Sequence, residues 1–216
     1  MQDVGIVIVN WNTCDYLEKC LETVYASEGV FSFRVVVVDN KSDDNSAAMV
    51  REKFPQADLI VNDENMGYPR GNNVGLRFLG YQENTVTADA PRYALLLNPD
   101  TELPPTALYE MTQFMDLHPD IGVAGPKLIL NDGSLDKACR RGFPTPMVSF
   151  YHYSGLAKLF PKSKRFGWYN MTFADENEEL EVDSVVGAYM QVRKDAIEKV
   201  GLLDEIFFMY GEDLDW

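Results

Sequence analysis

The chain opens on a nearly unbroken apolar run, VGIVIV at positions 4–9, and returns to one at 33–38 in FRVVVV. Runs in which consecutive residues are all apolar fit strands buried on both faces, as in a parallel sheet sandwiched by helices. Each run stops on a polar residue, Asn10 or Asp39. Between them Leu17, Cys20, Leu21 and Val24 recur at i, i+3, i+4 and i+7, which predicts a helix with one apolar stripe. A second helix is predicted after Asp43 or Asp44, a short strand in ADLIVN after Pro55, and a helix from near Gly71 to Phe78. After a loop rich in Asn, Thr and Asp, YALLLN at 93–98 reads as another central strand, and Leu108, Met111, Thr112 and Met115 mark the helix behind Pro104 and Pro105. This alternation predicts an α/β fold with a mostly parallel central sheet flanked by helices.

Beyond Gly125 the period is lost, because Gly133, Gly142, Pro144 and Pro146 interrupt any long element. SFYHYSGLAKLF at 149–160 is aromatic and partly helical in pattern, and suits a cover over a pocket. DENEEL at 175–180 reads as a solvated turn, since like charges repel unless compensated. EVDSVVGAYMQV at 181–192 restores strand character, and KDAIEKVG supplies a short helix that Gly201 ends. No internal repeat, low-complexity tract or convincing linker divides the chain.

The 216 residues, 46% of them hydrophobic, are enough for one buried core. Charge narrows the partners. With 34 Asp and Glu against 19 Lys and Arg, the formal charge is −15, which disfavours nucleic acid, whose binding depends on cations meeting phosphates. A phosphate-bearing ligand would need a local remedy: a divalent cation, a helix N-terminus or a few placed arginines. Cys14, Cys20 and Cys139 form no CxxC pair or framework, which fits a reduced, cytoplasmic setting. No stretch approaches the apolar length of about 20 residues that crosses a bilayer. The basic and apolar island from Lys158 to Arg165 reads either as a peripheral contact with the inner face of the plasma membrane or as a solvated loop.

In an open α/β sheet, ligands gather outside the carboxyl ends of the strands. Asn10, Asp39 and Asn98-Pro99-Asp100 stand there, although each also suits a helix cap or turn. Asp39 can accept from a nucleobase N–H or a ribose hydroxyl. Asp100 suits a hard cation such as Mg²⁺ or Mn²⁺, which binds through few carboxylates and leaves its remaining shell to phosphates and water. GYPRGNNVG at 67–75 lacks the glycine order of a dinucleotide fingerprint and the Lys-Ser or Lys-Thr of a phosphate loop. Its Arg70, Asn72 and Asn73 either present donors to phosphates at a helix start or belong to a capped surface helix. DNKSDDN at 39–45 fails as a calcium loop because Lys41 stands at its third position. His118 and His152 lack ligand spacing. DEIFFMYGEDLDW at 204–216 puts Glu212, Asp213 and Asp215 behind an apolar stretch, which is either a wall that tunes a carboxylate for proton abstraction or a packed turn before a helix cap.

Taken in order, IVIVNWN, VVVVDNKSDDNS, NMGYPRGNNVG, LLLNPDT, GPKL, VGAYM and DEIFFMYGEDLDW resemble the family 2 glycosyltransferases, in particular their bacterial rhamnosyltransferase-like branch with a GT-A fold. The resemblance spans essentially the whole chain. It implies a single GT-A domain over 1–216, with a nucleotide-binding part at 1–125 and an acceptor-side part at 126–216, and a chain that stops short of where relatives continue. It also implies transfer of a sugar, rhamnose in this branch, from a nucleotide-diphosphate donor to a glycan or lipid-linked acceptor in bacterial cell-envelope polysaccharide synthesis, with inversion and with Mg²⁺ or Mn²⁺. Asn10 and Asp39 then resemble nucleotide-contacting positions, with Arg70 and Asn72 beside them. Asp100 takes the metal position of a DXD variant whose first acid is replaced by Asn98. Asp213 takes the place of the catalytic base, and Gly187, Ala188, Glu212 and Asp215 line the acceptor side. The competing readings are a nucleotide-sugar-binding or assembly module with impaired catalysis, and a sugar-phosphate nucleotidyltransferase, whose glycine-rich opening and phosphate-binding lysine are missing.

Overall fold

The computed structural model describes residues 2–83 and 85–216, which form two compact units: residues 1–124 with 187–216, and residues 125–186. In the first, β1 (Val4–Asn10), α1 (Cys14–Tyr25), β2 (Phe33–Asp39), α2 (Ser46–Lys53), β3 (Asp58–Val61) and α3 (Tyr68–Phe78) alternate. A two-stranded antiparallel ribbon of β4 (Tyr81–Gln82) and β5 (Thr85–Val86) follows, then β6 (Tyr93–Leu97), α4 (Ala107–Leu117) and β7 (Val123–Ala124). In the second unit a single 3₁₀ turn at Lys137–Cys139 precedes α5 (Pro146–Tyr153) and α6 (Leu156–Leu159). The chain then re-enters the first unit with β8 (Tyr189–Arg193), α7 (Lys194–Val200) and α8 (Glu212–Asp215).

The six main strands run in the order β3-β2-β1-β6-β8-β7. The pairings β3–β2, β2–β1 and β1–β6 are parallel, while β8 lies antiparallel between β6 and β7. All seven residues of β1 are buried, as are all five of β6, which explains why both read as continuous apolar runs instead of alternating ones. Each fully buried Val, Ile or Leu of this kind contributes about 1.5–3 kcal/mol relative to leaving it in water. Leu17, Cys20, Leu21 and Val24 form the buried stripe of α1, as their spacing requires.

α3 begins at Tyr68, one turn earlier than the glycine pattern suggests. Gly67 makes the turn with φ 80°, Pro69 tolerates the first turn because its missing N–H has no intrahelical partner there, and Gly71 lies inside the helix. A Cβ on Gly71 would come within 2.7 Å of Val9 Cγ1, and one on Gly75 within 2.4 Å of Val7 Cγ1. The two glycines therefore let α3 lie directly on β1. The strand expected over 181–192 is confined to its end, from Tyr189, because the backbone before it is engaged elsewhere: Ser184 bridges Arg141 in the second unit, and the Gly187 and Ala188 carbonyls accept side-chain and turn donors in the first.

Within 125–186 the loops are held by isolated backbone bridges, Ile129 with Leu135 and Arg141 with Ser184, and by side chains. Asp183 accepts from the Phe143 amide at 2.8 Å and from the Trp168 indole at 3.1 Å, and Tyr151 meets the edge of Phe166 with ring centroids 4.9 Å apart. The acidic run at 175–180 is exposed throughout.

Candidate active site

Because β1, β2 and β6 are parallel neighbours, their last residues emerge at one edge of the sheet. Asn10 and Asp39 are register partners there and are 0% and 1% exposed. A buried carboxylate is tolerable only when its lone pairs are met. The Asn10 amide donates to Asp39 Oδ1 at 3.0 Å, and the Ser42 backbone N–H donates to Oδ2 at 2.9 Å. The Asn10 amide also donates to Ser42 Oγ, and the Thr13 hydroxyl donates to Asn10 Oδ1 at 2.6 Å, so both side chains are locked in one orientation.

Around this pair the polar loop after β2 works as a frame. Asp44 accepts from the backbone N–H of Cys14, which opens α1, and from the backbone and hydroxyl of Ser46, which opens α2. One carboxylate thus serves two helix starts whose first amides lack intrahelical acceptors. Burial opposes its ionisation, but those hydrogen bonds, led by that of Ser46, outweigh it and hold its pKa below the ordinary carboxylate value. Asp44 is therefore committed to the helix starts. Asn40, also buried, donates to the Gly67 carbonyl at 3.0 Å and accepts from Asn62 at 2.8 Å, which fixes the turn into α3.

Within α3, Asn72 donates to the Tyr68 carbonyl of its own helix. Asn73 donates to the Leu203 carbonyl at 2.8 Å and to Glu205, and the exposed Arg70 donates from Nε to the Glu205 carbonyl. These donors lie within the helix, since it starts at Tyr68, and they hold the 203–208 segment against it.

At the end of β6 the chain turns sharply. The Asn98 amide donates to the Ala188 carbonyl at 3.1 Å, the Thr101 amide returns to the Asn98 carbonyl, and the Thr101 hydroxyl also reaches Ala188. This stitches the Asn98-Pro99-Asp100 turn to Gly187-Ala188 and leaves Asp100 exposed. Its charge is felt inward: the Cys20 thiol is pushed up to about 12, first by burial and then by Asp100 and Glu102.

Tyr68 joins the remaining parts, and nothing in its sequence context singled it out. Its backbone N–H donates to the Phe208 carbonyl at 2.8 Å, and its hydroxyl donates to the Gly187 carbonyl at 2.8 Å. Burial raises the phenol's pKa, and the charge of Glu212 raises it further; the hydrogen bond with Asn72 opposes this, while Asp213 and Asp100 add to it. The hydroxyl accordingly stays protonated and donating. The acids whose charges act on it, Asp100, Glu212 and Asp213, come from two separated stretches of chain. Glu212 is buried, Asp213 is half-buried and Asp215 is exposed. The aromatic stretch before them does not close into a wall: Phe208, Met209 and Tyr210 face solvent.

Among the described residues no group of three or more His, Cys, Asp or Glu is placed to hold a metal ion. Asp100 offers one hard oxygen donor on an exposed turn. That donor set fits Mg²⁺ or Mn²⁺ whose shell is completed by a ligand's phosphates and water, and does not fit an all-protein cage.

The family description "Glycosyl transferase family 2" matches residues 5–201. Over its whole length the chain is 29% identical to the N-acetylglucosaminyl-diphospho-decaprenol L-rhamnosyltransferase of Mycobacterium tuberculosis, covering 69% of that protein. TarS 1–349 of S. aureus superposes with a TM-score of 0.62 at 18% identity over 98% of the chain. The mannosyltransferase PcManGT of Pyrobaculum calidifontis, solved in complex with GDP-Man and Mn²⁺, superposes with a TM-score of 0.60 at 16% identity over 99% of the chain. The chain spans about half the length of these two solved structures, 53% and 51%. At such identities the superpositions establish the α/β GT-A fold.

Proposed function

This chain belongs to glycosyl transferase family 2, and from that premise we propose that it transfers a sugar, with inversion, from a nucleotide-diphosphate donor to a glycan or lipid-linked acceptor in cell-envelope polysaccharide synthesis. Rhamnose is the sugar we assign, supported by the name of the Mycobacterium tuberculosis relative. The observation that carries the reading is the run of hydrogen bonds from the Asp100 turn through Ala188 and Gly187 to Tyr68 and on to Phe208, ahead of Asp213, beside the edge at which Asn10 and Asp39 end their strands.

In this reading Asn10 and Asp39 hold the nucleoside. The carboxylate of Asp39 already accepts from Asn10 and Ser42 and has lone pairs left for one ligand N–H or O–H. Asp100 would hold the divalent cation together with the donor's phosphates. When bound, that cation neutralises the diphosphate and stabilises the charge it carries as it leaves. Asp213 takes the proton from the acceptor hydroxyl as that oxygen bonds to the anomeric carbon on the face opposite the diphosphate. The bond from that carbon to the phosphate oxygen breaks, and its electron pair leaves with the nucleotide. One protein base suffices, since the leaving diphosphate needs no protonation. Gly187 and Ala188, tied to both Tyr68 and the Asp100 turn, form the floor on which the acceptor sits, and Glu212 and Asp215 flank it.

The test is thermal unfolding of the chain with a panel of nucleotide-diphosphate sugars, with and without Mn²⁺. A ligand present at a hundredfold excess over its Kd stabilises the native state by about 2.7 kcal/mol. One donor class should raise Tm, the rise should require Mn²⁺, and Asp100→Asn should abolish it. No stabilisation by any donor would overturn the reading.

A further inference from the structure

The acids of this chain are unevenly spread: none of its 34 Asp and Glu falls between Asp136 and Asp175. Within that interval Lys158, Lys162, Lys164 and Arg165 are all exposed. Among the described residues none of the four forms an ion pair, whereas Arg34, Lys53, Arg77 and Arg92 all do. A local cationic surface persists here on a strongly anionic protein.

The same stretch exposes its apolar side chains. α5 turns Tyr151 inward against Phe166 and leaves Met147, Phe150 and Tyr153 exposed, Tyr153 at 85%. Gly155, at φ 81°, makes the turn into α6, which packs on α5 and extends the exposed set with Leu159 and Phe160. Arg165 is fixed beside them by donating from Nε to the Tyr151 hydroxyl at 2.9 Å. Soluble proteins rarely leave such a contiguous apolar patch bare without a partner.

We propose that this face, formed by α5, α6 and the 158–165 segment, seats the protein on an anionic lipid bilayer. Aromatic rings enter the headgroup boundary, where their amphipathic character is favoured, and the four cations meet the anionic headgroups. The charge complementarity selects this occupant. A lipid surface accepts apolar and cationic groups together, whereas a nucleic acid would leave the apolar side chains uncovered. No helix among the described residues is long and apolar enough to cross the membrane, so the contact lies in the interface. The face lies wholly within residues 125–186, while Asn10, Asp39, Asp100 and Asp213 belong to the other unit.

Co-sedimentation of the purified chain with vesicles tests this. One set is phosphatidylcholine alone; the other is an equal mixture of phosphatidylcholine and phosphatidylglycerol. The chain should pellet with the mixed vesicles at low salt, be released at high salt, and remain in solution with phosphatidylcholine. Replacing two surface lysines, Lys158→Gln with Lys162→Gln, should weaken binding about thirtyfold, since each cation near such a surface contributes about fivefold. Phe150→Ser with Tyr153→Ser should weaken it independently, and Tm of both double variants confirms that they fold. Failure to bind the mixed vesicles, or equal binding by wild type and both variants, overturns the proposal. So does a self-associating chain that ignores vesicles and becomes monomeric on Phe150→Ser, which would assign the face to a second copy. No nucleotide sugar enters the assay, so its outcome is separate from that of donor binding.

Discussion

The Tyr68 hydroxyl donates to the Gly187 carbonyl at 2.8 Å, across 119 residues of sequence, and a Cβ on Gly187 would lie only 2.7 Å from that oxygen. Glycine at 187 and a phenol at 68 are thus one device: the bare backbone lets the ring approach, and the ring holds the backbone. The same tyrosine takes hold of the Phe208 carbonyl through its own amide, so the Gly187-Ala188 backbone and the segment leading to Asp213 are both tied to one residue at the start of α3. Tyr68→Phe keeps the ring and removes the donor. An unpaired buried carbonyl costs about 1–3 kcal/mol, so Tm should fall. Transfer should fall about tenfold, mainly in kcat, while donor-induced stabilisation persists. Steady-state kinetics beside thermal unfolding separates these effects, and an unchanged kcat would remove Tyr68 from the positioning role.

Gly75→Ala offers a clean test of how α3 meets the sheet. On an exposed helix the substitution would stabilise by about 0.5–1 kcal/mol. Here the added Cβ would meet Val7 Cγ1 at 2.4 Å and Val38 Cγ2 at 3.3 Å, side chains that are themselves fully buried in β1 and β2. Overpacking of this kind costs about 1–3 kcal/mol, so the sign should reverse. The midpoint of urea unfolding should drop, and a rise would mean that the helix sits further from β1.

Acid sensitivity has a structural source at the opposite edge of the sheet. Arg92 meets Asp116 with two hydrogen bonds of 2.6 and 3.1 Å, and the Tyr93 hydroxyl adds a third at 2.6 Å. The Arg92 hydrogen bond is the main cause that holds the Asp116 carboxyl below its ordinary value of 3.8. A carboxylate with a lowered folded pKa contributes stability that is complete above 3.8 and is lost as pH falls through the lower, folded value. Since both partners are about a third exposed, solvent screening limits the contribution to about 1 kcal/mol or less. Asp116→Asn should therefore lower stability near neutral pH by that amount and flatten the acid limb below pH 4. Urea midpoints measured from neutral to acid pH check this, and an acid limb identical to wild type would contradict it.

The elements that sequence patterns revealed are those governed by a single environment. β1, β2 and β6 are buried on both faces, and α1 has one buried stripe, so their periods are clean. Asn10 and Asp39 stood out because each is the first polar residue after such a run. What stayed hidden depends on partners distant in sequence. Gly71 looks like a helix start, but its small size serves packing against Val9 within a helix already under way. Nothing local assigns a partner to Asp44 in DNKSDDN, yet it is spent on the amide of Cys14, 30 residues earlier. Positions 181–188 carry strand-forming residues whose backbone is claimed by Arg141, Tyr68 and Thr101. The ribbon of β4 and β5 is too short for any period to register. Tyr68 left no local trace, because its partners lie 119 and 140 residues further along the chain.

We propose Asp213 as the base at a donor site built on the ends of β1, β2 and β6. Asp213→Asn tests it most directly, measured as turnover with a cognate nucleotide sugar and acceptor alongside donor-induced change in Tm. Transfer should fall by about 10²–10⁴-fold, the range that general-base catalysis supplies, while the donor still raises Tm as it does in wild type. Turnover at the wild-type rate by this variant would contradict it.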